Sequence, residues 1–479
     1  MSSAMLKKPN LTEGPIFSRI ILVALPLMAS NLLQALYNSA DMIIVGLSPV
    51  KDAVGAIGVS TSLLHLLVNL FIGLSVGTNV VVARHIGEGD ENKVSAAIHT
   101  SVVMSFIFGG AFGILGFFIS KPMLIFMGAE GELLELANIY SQIYFIGAPF
   151  LALTNYLSSV YRAKGDTKTP LIVLSLSGLF NVLLNLFFVL AVGLSVEGVA
   201  IATVLSNVAS AAVLIIILMK DKGFCHFSIK KLRLDKREFF DILYIGVPVG
   251  IQSTLFSISN TIIQSSILEV NNLMCPEGSS YQAVIQGNAA ASNIENLVFA
   301  AANSIPQAIV SFVGQNLGAK KYERVTKITI YGFIISALTS AIFSITVFLL
   351  KNPLLYLYGV TDTPDLLGQL AFSTATKRFV FHLAPFIFFG IMDMASNIAK
   401  AMKKAITSTA ITLVGTCIFR IIWILTVFRA FLNLESIFIS YPISWILTGI
   451  VEILLVIFTI KSEKKKQSDT ADTDTAERP

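Results

Sequence analysis

The chain has 479 residues, of which 54% are hydrophobic and only 13% are charged, and its formal net charge is +5. A soluble globular protein carries about 25% charged residues, so the composition excludes a soluble domain and indicates an integral membrane protein. The basic residues fall mainly outside the apolar runs, which favours a topology signal and not nucleic-acid binding.

The apolar runs are long enough to cross a bilayer, because about 20 apolar residues span its hydrocarbon core. Strand-length alternation is missing from these runs, so we predict an all-α membrane protein and not a barrel. In chain order the twelve predicted transmembrane helices are 16–47, 52–81, 94–120, 133–160, 170–193, 196–219, 237–269, 283–313, 325–350, 366–400, 405–432 and 436–460.

Most Lys and Arg residues lie in the N-terminal segment, in alternate loops and in the C-terminal segment, for example Arg84, Lys93, Lys320 and Lys321. The positive-inside rule then predicts that both termini are cytoplasmic in a multi-pass protein of the cell inner or plasma membrane. The first apolar run is too long and begins too late for a cleavable signal peptide.

An internal repeat divides the chain. The segment VVARHIGEGDENKV (81–94) aligns without gaps with FVGQNLGAKKYERV (312–325), and Gly87 then matches Gly318. Each half holds six predicted helices, so both halves insert with the same orientation and should enclose a cavity between them. This arrangement is more typical of a transporter that moves two bundles than of a channel with a single pore.

We therefore predict two parallel six-helix lobes, one formed by residues 1–219 and the other by residues 237–460. The basic segment 220–236 would be a cytoplasmic linker between them. The tail 461–479 is polar and poor in apolar residues, so we expect it to be disordered in the cytoplasm.

Polar residues recur at helical spacing within three helices of the first half. Asp41 is the most informative, because an ionised carboxylate at the centre of a membrane helix costs about 2.5–3.5 kcal/mol. Lipid cannot form hydrogen bonds with these polar helix faces. The faces should therefore turn toward each other and enclose Asp41 in a hydrogen-bonding chamber. The other residues considered in the chamber are Gln34, Asn38, Asn181, Asn185, Thr203 and Asn207.

The alternative is that such residues only join helices, at about 0.6 kcal/mol each. We prefer a functional role for Asp41, because helix pairing does not need a carboxylate.

In the second half, Glu295 shares a helix face with Asn288 and is a candidate for the cavity wall. Asp393 either lines the cavity or pairs with Lys400 at helical spacing. We considered Arg420 as a counter-charge to one of these acids.

Taken together and in this order, several segments resemble the multidrug and toxic compound extrusion (MATE) family. ALYNSADMIIVG resembles the family's first-helix motif, whose acid falls on Asp41, and NVLLN places Asn181 and Asn185 on the polar pair of the fifth helix. GVAIATVLSN resembles the sixth-helix segment, with Thr203 as its cavity hydroxyl. QAIVSFVGQNLGAKKYERV resembles the segment after the eighth helix, and YRAKGDTKTP the loop before the fifth.

The resemblance implies an antiporter that exports organic, often cationic or amphipathic compounds in exchange for H⁺ or Na⁺. It implies a proton- or cation-binding acid at Asp41, supported by Asn181 and Thr203, with no cofactor and no metal other than Na⁺ at Asp41. Many relatives carry an acid where this chain has Asn185, and one branch carries a glutamate where it has Phe256. We expect a monomer that acts on small organic substrates within the lipid bilayer.

Two other classes of membrane protein are alternatives. A flippase or exporter for lipid-linked or anionic substrates should show several cationic residues facing the cavity, and only Arg420, with Lys377 or Arg378, qualifies. A membrane enzyme would need clustered aspartates for Mg²⁺ and diphosphate, or a His-Glu-x-x-His zinc motif, and the predicted helices contain neither. A P-loop is also missing, so an ion gradient should drive transport.

Overall fold

The computed structural model describes residues 11–46, 50, 52–275, 282–363 and 365–476. Within these residues the regular structure is helical and no strand forms. An apolar chain in a bilayer must pair its backbone polar groups internally, and the helix does so within each segment. The predicted all-α membrane fold is confirmed.

The helices follow one another with short connections. In chain order they are α1 (Ile16–Val45), α2 (Ala53–Glu88), α3 (Glu91–Phe126), α4 (Gly131–Ile146), α5 (Ala148–Lys164), α6 (Lys168–Leu186), α7 (Val196–Met219), α8 (Lys236–Met274), α9 (Ala283–Ala302), α10 (Ser304–Gly318), α11 (Tyr322–Leu349), α12 (Lys351–Leu357), α13 (Leu366–Leu383), α14 (Phe386–Ala401), α15 (Ala405–Thr412), α16 (Phe419–Trp423), α17 (Arg429–Phe431), α18 (Leu434–Phe438) and α19 (Ser440–Ala476).

Ten helical stretches in the described part of the chain are long and apolar enough to cross a membrane, and two bent pairs raise the number to 12. The bent pairs are α4 with α5, at 51°, and α13 with α14, at 47°. Pro149 near the start of α5 and Pro385 before α14 cannot donate the hydrogen bond that would continue the preceding helix. Counting each pair as one span, the prediction of twelve is confirmed.

Three stretches of π-helix interrupt the regular helices of the described residues. Phe187–Ala191 follows α6, while Leu413–Ile418 and Ile424–Phe428 lie on either side of α16. Such turns are rare and are frequently found at functional sites. Asn185 lies just before the first of these turns, and Arg420 lies between the other two.

The chain forms two compact units. The first unit comprises Met1–Thr254 and Val310–Lys321, and the second comprises Leu255–Ile309 and Tyr322–Pro479. The division into lobes 1–219 and 237–460 with a linker 220–236 stays a prediction.

The aligned glycines of the internal repeat pack against each other's segments within the first unit. A Cβ atom on Gly87 would lie 2.0 Å from the backbone oxygen of Gln315. A Cβ atom on Gly318 would lie 2.0 Å from the backbone oxygen of Arg84. Small residues allow membrane helices to approach this closely, so α2 and the end of α10 meet at backbone contact.

The helix α19 continues to Ala476, and the predicted disorder of the tail 461–479 stays a prediction. Between Lys461 and Arg478 there is no glycine or proline that would end the helix. The segment also contains lysine, glutamate and alanine, which favour helix. A helix that begins in the apolar part of the chain can therefore continue into the polar tail.

Candidate functional site

Asp41 is half-buried on α1 and lies at one end of a chain of hydrogen bonds. Its carboxylate accepts a bond from Asn185 Nδ2 at 2.6 Å. Asn185 Nδ2 also lies 3.3 Å from Asn181 Oδ1, and Asn181 Nδ2 donates to Thr203 Oγ1 at 3.3 Å. We call these four residues the Asp41 network. It joins α1, α6 and α7.

The local structure of α6 explains why two of its amides reach the network. Asn181 and Asn185 are four residues apart, so they lie on one helix face. Immediately after Asn185 the helix ends at Leu186 and the π-helical turn Phe187–Ala191 begins. Asn185 is fully buried, yet its Oδ1 has no hydrogen-bond partner among the described residues. A buried acceptor without a partner is costly, and it lies beside a carboxylate that can bind a proton or a cation.

One aromatic residue, Tyr37, helps to position Asp41 against α6. The Tyr37 hydroxyl, one helical turn before Asp41, donates to the Ser175 backbone oxygen at 3.1 Å. A Cβ atom on Gly178 would lie 2.1 Å from the Tyr37 ring, so this glycine leaves room for the tyrosine. The two contacts hold α1 against α6 at the register that places Asp41 opposite Asn185.

Two other predicted chamber residues, Gln34 and Asn207, do not join the network in this way. Gln34 is exposed on α1. Asn207 Nδ2 donates to the Thr203 backbone oxygen at 3.0 Å, which is a bond within its own helix. The side chain of Asn38 lies outside the described residues. The structure therefore brings together Asp41 and the residues given by the fifth and sixth predicted helices.

Glu295 belongs to a buried ion pair in the second unit. Its Oε2 accepts bonds from Arg378 Nε at 2.9 Å and from Arg378 Nη2 at 2.8 Å. Arg378 Nη1 donates to Asn288 Oδ1 at 2.6 Å, and His382 Nδ1 lies 3.1 Å from the same carboxylate oxygen. The counter-charge of Glu295 is therefore Arg378, and the hypothesis that Arg420 pairs with one of the acids is wrong for Glu295.

Asp393 has amide partners instead of a direct ion pair. It accepts bonds from Asn303 Nδ2 at 2.9 Å and from Asn397 Nδ2 at 3.0 Å. Lys400 is buried on the same helix and attracts both Asp393 and Glu452 electrostatically. Asp393 thus lies in a polar group of the second unit that contains one buried cation.

Glu452 was missed by the sequence analysis. It is fully buried, and its Oε1 accepts bonds from Ser408 at 2.8 Å and from Thr412 at 3.0 Å, while no group in the described part of the chain bonds to its Oε2. It lies in the apolar run GIVEILLVIF. The signal that singled out Asp41, a carboxylate within an apolar helix, would also have found Glu452.

The described residues contain no cluster of three or more His, Cys, Asp or Glu side chains that could hold a metal ion. The Asp41 network offers one carboxylate together with amide and hydroxyl groups. That donor set suits a proton or a monovalent cation better than a divalent metal, which prefers several carboxylates.

Comparison with known proteins gives concordant matches. The family model described as MatE matches residues 26–187 and 257–426. The probable multidrug resistance protein YoeA of Bacillus subtilis (strain 168) is 25% identical over 409 residues, which cover 84% of this chain and 85% of that protein. The probable multidrug resistance protein NorM of Thermotoga maritima is 27% identical over 354 residues, 73% of each chain.

The fold of this chain also matches the folds of solved structures. The crystal structure of MATE in complex with MaL6 superimposes with a TM-score of 0.86 and covers 96% of this chain and 99% of that chain. The sequence identity between the two is 23%, so this likeness establishes the fold alone.

Proposed function

The chain belongs to the MatE family of multidrug efflux transporters, which are not enzymes, and we propose that it is an antiporter with Asp41 as its coupling acid. It would export organic, often cationic or amphipathic compounds in exchange for inward H⁺ or Na⁺. The observation that carries this proposal is the Asp41 network, which connects one carboxylate to three helices.

The network offers a physical route from ion binding to helix rearrangement. An ionised carboxylate only accepts hydrogen bonds, whereas a protonated one also donates. Protonation of Asp41 would weaken the bond from Asn185 Nδ2 and create a donor for the unpartnered Asn185 Oδ1. The amide of Asn185 would then turn, and its bond to Asn181 would change with it. A ligand that binds two such arrangements unequally shifts the equilibrium between them.

Of the two ions, we propose H⁺. A dehydrated Na⁺ needs several oxygen ligands, but this network has one carboxylate, and the Asn185 amide presents its N–H₂ donor to it, so the amide would have to turn before its oxygen could bind Na⁺. A proton requires only the carboxylate. Exchange of one H⁺ for a monovalent organic cation is electroneutral, and each further inward charge would add about 2.3 kcal/mol per 100 mV of membrane potential.

We also propose the plasma membrane as the site of action, with both termini cytoplasmic, on the distribution of Lys and Arg among the loops. The exported compounds would be small organic molecules, in keeping with the family. The protein would act as a monomer, because each copy carries its own Asp41 network.

Ethidium uptake into everted membrane vesicles tests the proposal. A pH jump and a Na⁺ jump are applied separately to vesicles that contain the wild type or the Asp41→Asn variant. We expect the pH jump to drive uptake in the wild type and neither jump to drive it in the variant. Wild-type uptake that follows Na⁺ at fixed pH would contradict proton coupling, and uptake that ignores both gradients would contradict antiport.

A further inference from the structure

The segment between α7 and α8 is fixed to the side of α3 at two points. At the first point the backbone N–H of Ser228 donates to His99 Nε2 at 3.1 Å. At the second point the backbone N–H of Asp235 donates to Thr100 Oγ1 at 2.9 Å. The chain between these points leaves the surface of α3 and returns to it. We call its residues, 229–234, the linker arch.

Every side chain of the linker arch is exposed. Three of them are aliphatic, and the exposed fraction is 64% for Ile229, 46% for Leu232 and 47% for Leu234. The other three are the cations Lys230, Lys231 and Arg233. Exposure of aliphatic side chains to water is unfavourable. A segment that alternates exposed aliphatic and cationic side chains instead suits the boundary between lipid headgroups and acyl chains.

The attachment to α3 places the linker arch near that boundary. The helix α3 has 36 residues and is therefore about 54 Å long. The hydrocarbon core of a bilayer is about 30 Å thick, so a centred α3 would extend about 12 Å beyond the core at each end. His99 lies about 12 Å along the helix from Glu91, its first residue. The arch is thus held at the level where the hydrocarbon core ends.

The neighbouring acids do not neutralise the cations of the linker arch. The Asp235 carboxylate accepts bonds from the backbone N–H groups of Arg237 and Glu238, at 3.0 and 3.2 Å. The Glu238 carboxylate is buried and lies 2.9 Å from His85 Nε2. None of the ion pairs among the described residues includes a cation of the arch. The positive charge of the arch is therefore available to an anionic partner.

We propose that the linker arch is a binding surface for anionic phospholipids of the cytoplasmic leaflet. Its cations contact headgroup phosphates, and its aliphatic side chains lie among the upper parts of the acyl chains. Each cation near an anionic membrane surface raises the affinity about fivefold, and salt weakens this attraction. The efflux function and the Asp41 network do not use this segment, so the inference adds a lipid partner to a different part of the protein.

A fluorescent label on the linker arch tests the inference in the full-length protein. Leu232→Cys would be made in a background in which the three native cysteines are replaced. The new cysteine would carry nitrobenzoxadiazole, whose emission rises and shifts to the blue when it leaves water. The protein is placed in phosphatidylcholine nanodiscs that contain phosphatidylglycerol with a nitroxide quencher near the top of one acyl chain. Matched nanodiscs carry the same nitroxide on phosphatidylcholine.

We expect blue-shifted emission, and we expect the anionic quencher to reach half-maximal quenching at about a tenfold lower mole fraction than the neutral one, because three cations face its headgroup. High salt should reduce this difference. The variant that combines Lys230→Gln, Lys231→Gln and Arg233→Gln should be quenched equally by both lipids. It keeps both attachments to α3, so it should fold like the parent.

The control variant combines Lys222→Gln, Lys320→Gln and Lys404→Gln, which remove the same charge at exposed positions outside the linker arch. It should keep the preference for the anionic quencher. Equal quenching by the two lipids in the parent would overturn the inference, as would a preference that survives the triple substitution in the arch. Emission typical of water would also overturn it and would favour a soluble protein as the partner. No gradient exists in a nanodisc, so this result and that of the vesicle assay can fail independently.

Discussion

Asn185 Nδ2 lies 2.6 Å from the Asp41 carboxylate, so the acid of α1 and the buried amide of α6 share one hydrogen bond. This contact makes the role of the negative charge testable without a change of shape. Asp41→Asn keeps the size of the side chain and removes the charge.

We expect Asp41→Asn to insert and purify like the wild type but to lose gradient-driven ethidium transport. The amide cannot bind and release a proton, which is the physical reason for the loss. Asp362→Asn, at an exposed loop position, is the matched control and should transport normally. If Asp41→Asn vesicles transported at the wild-type rate, Asp41 would be a structural residue only.

Asn185→Asp should give the transporter a Na⁺ response. Two carboxylates at the Asp41–Asn185 contact repel each other unless a cation or a proton lies between them, and a second carboxylate is what a Na⁺ site in this network lacks. Transport driven by a Na⁺ jump at fixed pH is the measurement. Asn207→Asp is the control, because that side chain bonds to its own helix. An equal Na⁺ response in both variants would contradict the expectation.

The ion pair of Glu295 and Arg378 should contribute strongly to stability. Removing one partner of a buried pair leaves an uncompensated charge and costs about 3–5 kcal/mol in unfolding free energy. We therefore expect Glu295→Gln and Arg378→Gln each to lower the thermal unfolding temperature in detergent. The double variant should be less destabilised than the two single effects predict when they are added.

Lys377→Gln is the control for this series, because the pair of Lys377 with Glu435 is 42% exposed on both sides. Exposed pairs contribute little, so its unfolding temperature should stay close to that of the wild type. Additive effects of Glu295→Gln and Arg378→Gln in the double variant would show that the two charges do not interact.

We expect the Glu295→Gln variant to retain more ethidium transport than the Asp41→Asn variant.

Gly318→Ala should destabilise the first unit, because its Cβ would lie 2.0 Å from a backbone oxygen of α2 and the helices would have to separate. Gly110→Ala has open space around the new methyl group and serves as the control. The yield of monodisperse protein after solubilisation is the measurement. Equal yields of the two variants would contradict the close packing of the repeat segments.

The proposed topology predicts labelling from outside the cell at one loop and not at another. Glu130→Cys lies at an exposed position of a predicted external loop, and Lys230→Cys lies at an exposed position of the predicted cytoplasmic linker. In a background that lacks the native cysteines, an impermeant maleimide should label only the first in intact cells. Permeabilised cells should show both, and the reverse pattern would invert the topology.

Much of the first unit's site could be predicted from the sequence. A helix period of 3.6 residues places Asn181 and Asn185 on one face, and the cost of a polar group in lipid turns that face toward Asp41. The number of membrane-crossing helices follows from apolar length for the same reason. These inferences depend only on the spacing of residues along one helix and on the lipid that surrounds it.

The partners in the second unit were decided by the tertiary structure. The sequence offers several buried cations and acids within apolar runs, but Glu295 and Arg378 are 83 positions apart and no local period relates them. The bend between α13 and α14 and the π-helical turns around α16 determine which side chains meet. Pairing across helices depends on rotation and register, which residue spacing within one helix cannot specify. Arg378 therefore meets Glu295, while Arg420 meets Tyr441 and no carboxylate of the described residues.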